Sequence, residues 1–183
     1  MPGIALLWQK DKAMYDMAFE STAQGADYLG DPGLLTAITI SLFTNRHAAE
    51  ADILPDAAVG QKVDPQGWWG DYLAQTGEMD EIGSRLWLLR RELDQDSVVA
   101  RADVYAKEAL AWLTTAKAGR LRVSALHVAA RRISRGYLGI EVGSERLLED
   151  ALRRENWLFT YDYKNAEPLD KINYFTSLTQ SGA

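Results

Sequence analysis

The clearest pattern along this chain is a run of apolar positions at three- and four-residue steps: Val98, Ala102, Tyr105, Ala109, Trp112, Leu113 and Ala116. That is the period of an amphipathic helix. Asp96 or Ser97 supplies its cap, Gly119 follows its last turn, and Trp112 is expected in the core. Leu86, Leu89 and Leu93 set a shorter helix over 82–92, with acids before it and arginines near its end. Residues 34–43 fit both periods. Ile38, Ile40 and Leu42 alternate with Thr39 and Ser41 as in a strand, whereas Leu34, Leu35, Ile38 and Leu42 share a helical face. Asp31 as cap and Pro32 in the first turn favour the helix, while the β-branched content favours the strand.

The remaining patterned stretches have a period of two. Residues 4–8 are an apolar run, and after the charged Lys10-Asp11-Lys12 the residues from Met14 to Glu20 alternate, so the N-terminus reads as a hairpin. Residues 21–30 are small and polar and read as loop. Residues 53–66, punctuated by Pro55, Gly60 and Pro65, form a second, longer loop. Residues 121–129 read as a strand in which Leu126 and Val128 break parity, through two covered faces or a bulge. Residues 131–136 make a turn and 137–142 an antiparallel partner. Ser144 then caps a short helix over 144–155 carrying Leu147, Leu148, Ala151 and Leu152, and 157–163 is a last strand with Trp157, Phe159, Tyr161 and Tyr163 on one face. The expected fold is α+β: an N-terminal hairpin and helices followed by an antiparallel sheet. A single domain spans 1–175, with 176–183 as a flexible tail.

Composition narrows the function classes. Apolar residues make up 47% and charged residues 25% of 183 residues, as in an ordinary globular domain. A net charge of −6 argues against general nucleic-acid or anionic-membrane binding, and the arginines at 120, 122, 131, 132 and 135 read as solvated positions around a strand turn. Without cysteine there is neither disulfide nor thiolate chemistry. The first residues lack the basic flank and length of a signal peptide. No apolar run approaches the roughly 20 residues of a membrane span. His47 and His127 stand alone, so no metal site is expected, and no phosphate loop, nucleophile motif or other cofactor signature occurs.

One stretch resists the periodic description. Gly67-Trp68-Trp69-Gly70-Asp71, followed by Gly83-Ser84-Arg85-Leu86-Trp87, holds three of the six tryptophans among glycines. Glycine permits positive φ or close backbone approach, and each indole brings a large apolar area with one N–H that needs a partner. The segment is either a plug of the core or a contact surface. A third reading is a sugar site, because Asp71, Glu78, Asp80 and Glu81 lie near Trp68 and Trp69, and paired carboxylates beside aromatic platforms hydrolyse glycosides. Acids at a helix start are equally explained by the helix dipole.

Together with residues 40–48 (Ile-Ser-Leu-Phe-Thr-Asn-Arg-His-Ala), these motifs resemble the baseplate protein family of phage Mu-like contractile tails. That family is similar to the lysozyme-like, sheath-initiating wedge protein of other contractile tails and of type VI secretion baseplates. The resemblance covers roughly residues 3–143. It implies the wedge-protein fold, with 34–43 helical, and a structural subunit without catalysis or cofactor, present in several copies around a six-fold tail. It also implies a virion baseplate location after assembly in the host cytoplasm, and partners that are other wedge proteins and the first sheath ring. Gly67, Trp68, Trp69, Gly70, Asp71, Gly83, Ser84, Arg85, Leu86 and Trp87 become packing signatures. The sheath contact is expected as strand addition to a sheet edge, with 121–142 and 157–163 as candidate strands and Arg120, Trp157, Phe159 and Tyr161 as candidate partner contacts. The wider wedge family carries Glu-Pro-Arg after the long helix. Here Ala118-Gly119-Arg120 stands at that place, and only Arg120 carries over. A cell-wall glycosidase or sugar-binding module of a tail is the alternative.

Overall fold

A meander of four long antiparallel strands backs the fold. The computed structural model describes residues 3–4, 6–9, 14–17, 19–22, 25–28, 30–31, 34–55, 64–68, 71, 81–90, 92, 96–148 and 151–179. In chain order the sheet strands are β7 (Ala125–Ser134), β8 (Tyr137–Leu148), β9 (Ala151–Asp162) and β10 (Glu167–Thr179). They lie side by side as β10-β9-β8-β7. Ala130 pairs with Ile140, which pairs with Phe159 on its other side. Gly136, at φ 86°, makes the β7–β8 turn. Between β9 and β10, Asp162 accepts the backbone N–H groups of Lys164 and Asn165.

Alternation places Val128, Leu138, Ile140, Val142, Trp157, Phe159, Tyr161 and Tyr163 on one face, all buried. Against that face lie α1 (Leu35–Phe43), α2 (Asp96–Leu110) and a 3-10 turn at Leu86–Leu89. In α1, Leu34, Ile38 and Leu42 recur at four-residue steps and are at most 1% exposed, so burial of that stripe overrides the strand propensity of its threonines and isoleucines. Phe43 closes the end of α1 by packing on Phe159 and Tyr161, at ring distances of 5.7 and 5.8 Å. Alanines 102, 106 and 109 on the buried side of α2 let the helix approach its neighbours closely. The N-terminal strands form three antiparallel pairs: β1 (Gly3–Ile4) with β6 (Gly30–Asp31), β2 (Leu6–Gln9) with β3 (Met14–Met17), and β4 (Phe19–Thr22) with β5 (Gly25–Tyr28). β2 meets β10. Among the described residues no helix is long and apolar enough to cross a membrane.

The α+β class, the first hairpin and the helical state of 34–43 agree with expectation. Several boundaries are corrected. The stretch 144–155 is not a helix: it is the far part of the β8–β9 hairpin, with Ser144 opposite Glu155 and Arg146 opposite Arg153. Its inward positions carry Arg146 and Glu155, 5% and 0% exposed, while Leu147 points outward at 65%, so polarity is inverted relative to an ordinary strand. Glu155 is held by Arg153 at 2.8 Å and Arg146 at 3.4 Å. Residues 21–30 contain a hairpin instead of a loop, and Asp31 belongs to β6 instead of capping α1, whose N-cap is Leu34. Residues 121–124 precede β7, which runs on to Ser134, and only 135–136 turn. The expected helix over 82–92 is a four-residue 3-10 turn in which Leu86, Trp87, Leu88 and Leu89 are all buried. β9 is not the last strand: β10 carries the pairing to Thr179, into the expected tail. Trp112 is half-buried, donating Nε1 to Ser41 Oγ at 3.1 Å.

Candidate functional site

The three motifs that carry the resemblance meet in space. Thr44–Ala48, leaving the end of α1, lies beside Ser84 in a short parallel bridge between Asn45 and Ser84. Ser84 N–H donates to Thr44 O at 2.9 Å, and Arg46 N–H donates to Ser84 O at 3.0 Å. This approach requires glycine at 83. Its φ is 104°, and a Cβ there would stand 2.3 Å from Thr44 O. Ser84 Oγ donates to Leu42 O at 2.5 Å, satisfying a terminal carbonyl of α1, and accepts Leu86 N–H at 3.2 Å. Trp87, 2% exposed, donates its indole N–H to Arg46 O at 2.8 Å.

The segment before the tryptophan pair closes on the same strip. Ala48 N–H donates to Pro65 O at 3.0 Å, and Asn45 Nδ2 donates to Gln66 Oε1 at 2.6 Å. At Gly67, φ is 118° and a Cβ would come within 3.1 Å of His47 Cβ. Asp71 N–H returns to Trp68 O at 3.0 Å, and Asp71 Oδ1 accepts Ile82 N–H at 3.3 Å, tying the second motif to the third. Trp68 is 37% exposed. Trp69, Gly70, Glu78 and Asp80 lie outside the described residues.

Arg85 joins this junction to α2. Its Nη1 reaches both carboxylate oxygens of Asp52 at 3.0 Å, Nη2 reaches Glu108 at 2.5 Å, and the guanidinium stands 4.7 Å from the Tyr105 ring centre. Burial opposes the guanidinium charge, but the bonds to Glu108 and Asp52 outweigh it and hold its pKa above the usual arginine value. Burial, then the Asp52 charge, raises the Tyr105 phenol. A cleft of about 690 Å³ opens beside the junction, with Ile40, Ser41, Ile82 and Trp112 in its wall. Its carboxylates are engaged: Glu81 by Arg46 at 2.7 Å and Glu108 by Arg85. Those two and Asp71, whose Oδ1 takes a backbone N–H, brace the junction. No metal-binding group of three or more His, Asp or Glu side chains exists among the described residues.

The candidate partner contacts fall elsewhere. Trp157, Phe159 and Tyr161 are 2–3% exposed and point into the core from β9, which is paired on both sides. They are corrected from surface contacts to core residues, and 157–163 is corrected from an edge strand to an interior one. Arg120 is exposed, in the 3-10 segment Ala116–Leu121 just after Gly119 at φ 53°. The structure adds a residue the sequence reading missed: Asp103 of α2 accepts the Ala130 N–H of β7 at 3.1 Å. Its only sequence signal is an acid placed seven residues after Asp96, beside the buried alanines of α2.

The three motifs that form this junction all lie within the stretch by which the chain matches a family of phage proteins. The chain belongs to the phage protein GP46 family, whose model matches residues 34–146, from α1 into β8. It is similar to the baseplate protein gp46 of Escherichia phage Mu, with 42% identity over 138 residues covering 75% of this chain and 83% of that protein. It is also similar to the Mu-like prophage FluMu protein gp46 of Haemophilus influenzae, with 31% identity covering 62% and 67% of the two chains. No solved structure matches.

Proposed function

We propose that this chain is a non-catalytic wedge subunit of a contractile tail baseplate, joining other wedge proteins to the first sheath ring. Its place is the tail baseplate of a Mu-like phage particle. The observation that carries the reading is the junction itself. Residues conspicuous enough to suggest a site are spent on one another: Gly83 on backbone approach, Ser84 and Trp87 on carbonyls, Arg85 on two carboxylates. Such a junction fixes the geometry of α1, α2 and the sheet, which is what a subunit under mechanical load requires. The family's lysozyme-like wedge fold and the repetition of this chain around a six-fold tail belong to the same proposal, as does the single domain over 1–175.

The sheath contact is assigned to strand addition on the sheet. With β9 interior, the outer strands are β7 and β10. The Ala130 N–H of β7 is already occupied by Asp103, so β10 is the edge assigned to the sheath strand. The test is complementation of a phage lacking this gene, with electron microscopy of the particles. Tails with assembled sheath only when the gene is supplied support the proposal, and normal sheathed tails without it overturn it. Amide exchange of β10, measured with and without purified sheath protein, tests the edge. Protection on binding is expected, and protection confined to β7 would reassign the contact.

A further inference from the structure

β7 is an outer strand, and an outer strand offers unpaired backbone groups to any other copy of the same chain. In an antiparallel pair the N–H and C=O of one residue point to the same side, alternating along the strand. Ala130 N–H points to α2, so Leu126, Val128, Ala130 and Arg132 share the outward side. No strand among the described residues pairs there. α2 packs along β7, and an open groove of about 550 Å³ runs between the two, lined by Asp96, Val99, Asp103, Ala130 and Arg131. What fills the central position is one side chain. Asp103 Oδ1 takes the Ala130 N–H at 3.1 Å, and Lys107 Nζ, one helical turn on, holds Oδ2 at 2.6 Å. The neighbouring outward residue is tied down as well, through Arg132 to Asp96 at 3.3 Å.

We propose that Asp103 is an edge guard, which keeps β7 of one copy from pairing with β7 of another. The carboxylate satisfies the donor that an incoming strand would use, and it faces that strand's carbonyl with a second acceptor bearing negative charge, so approach is unfavourable at that register. Lys107 keeps the carboxylate aimed. The edge excluded is that of a second copy, because two β7 strands related by a two-fold axis through Ala130 present the same outward groups to each other. The guard holds whichever partner takes β10, so the inference does not depend on the sheath contact proposed above.

The test is sedimentation velocity of the full chain from dilute to concentrated solution, for wild type, Asp103→Asn, Asp103→Ala and Asp103→Ala/Ala130→Pro, with amide exchange at Ala130 in dilute samples. Asn keeps an acceptor for the Ala130 N–H but puts an uncharged donor where the second carboxylate oxygen stood, so it is expected to associate more than wild type and less than Asp103→Ala. Asp103→Ala is expected to shift to larger species as concentration rises and to exchange the Ala130 N–H about tenfold faster. In the double variant proline removes the edge donor, a substitution tolerated at outer strands, and the larger species should disappear. Circular dichroism establishes that each variant is folded. If Asp103→Ala does not fold, Asp103→Ser takes its place, with a shorter side chain that cannot span the same distance. The proposal is overturned if the folded truncation variant sediments as the wild type does throughout, if wild type associates equally, or if the double variant still associates.

Discussion

Replacing Gly83 by alanine attacks the junction at the atom where it closes. The backbone there is at φ 104°, outside the regions open to residues with a Cβ, and the added carbon would stand 2.3 Å from Thr44 O and 3.1 Å from Arg46 N. Both neighbours are main chain, so neither yields by rotating a side chain. Holding alanine at such a φ costs about 1–3 kcal/mol. Relieving the clash separates the strips and loses the Ser84–Thr44 and Arg46–Ser84 backbone bonds of 2.9 and 3.0 Å, at about 1 kcal/mol each. The sum is a destabilisation of about 3–5 kcal/mol. Urea unfolding followed by tryptophan fluorescence reads it directly: at a slope of about 2 kcal/mol/M the midpoint should fall by about 2 M. Gly119→Ala is the control. That glycine also has positive φ, at 53° with ψ −124°, but no atom lies within 4 Å of its Cβ position, so only the backbone strain of about 1–3 kcal/mol applies, without the loss of backbone bonds. A loss at Gly83 no larger than at Gly119 would refute the claim that this glycine closes the junction.

Three further outcomes follow from the same geometry. Trp87→Phe removes the donor to Arg46 O and part of a buried ring; a loss of about 2 kcal/mol is expected in the same unfolding assay. Glu155→Gln leaves the Arg146 and Arg153 guanidiniums facing a neutral amide in a site where Glu155 is fully buried, and thermal melts should show about 3 kcal/mol lost, with no comparable effect for Glu145→Gln on the outer face. Burial raises the Tyr161 phenol well above the usual tyrosine range. Folding therefore favours its neutral form: the contribution is complete below about pH 10, where the unfolded chain is also neutral, and is lost as pH rises and only the unfolded chain ionises. By pH 11 the loss is about 1.4 kcal/mol, and Tyr161→Phe should lessen the alkaline decline in stability.

What the sequence revealed depended on whether polarity and burial ran together. In α2 and on the buried face of β8 and β9 around Ile140 and Phe159 they do, and the periods were readable. At the far end of the β8–β9 hairpin they part: inward positions are Arg146 and Glu155 while Leu147 faces out, and that inverted pattern imitates a helix. The 3-10 turn at Leu86–Leu89 is buried on all sides, so it has no face for periodicity to report. The motif strings 44–48, 67–71 and 83–87 were visible, but their meeting is tertiary and rests on one backbone approach at Gly83. Asp103 was hidden for a simpler reason, since an acid on a helix is ordinary and only the fold brings it to an edge N–H.

Electron cryomicroscopy of intact tails from a phage carrying this gene, at a resolution that traces side chains, decides whether this chain is a built-in subunit of the baseplate. The expected map holds this chain in the baseplate, in repeated copies, each with Gly83 against Thr44 and Trp87 enclosed, and with a neighbouring strand added along β10. A baseplate complete without this chain would contradict that role.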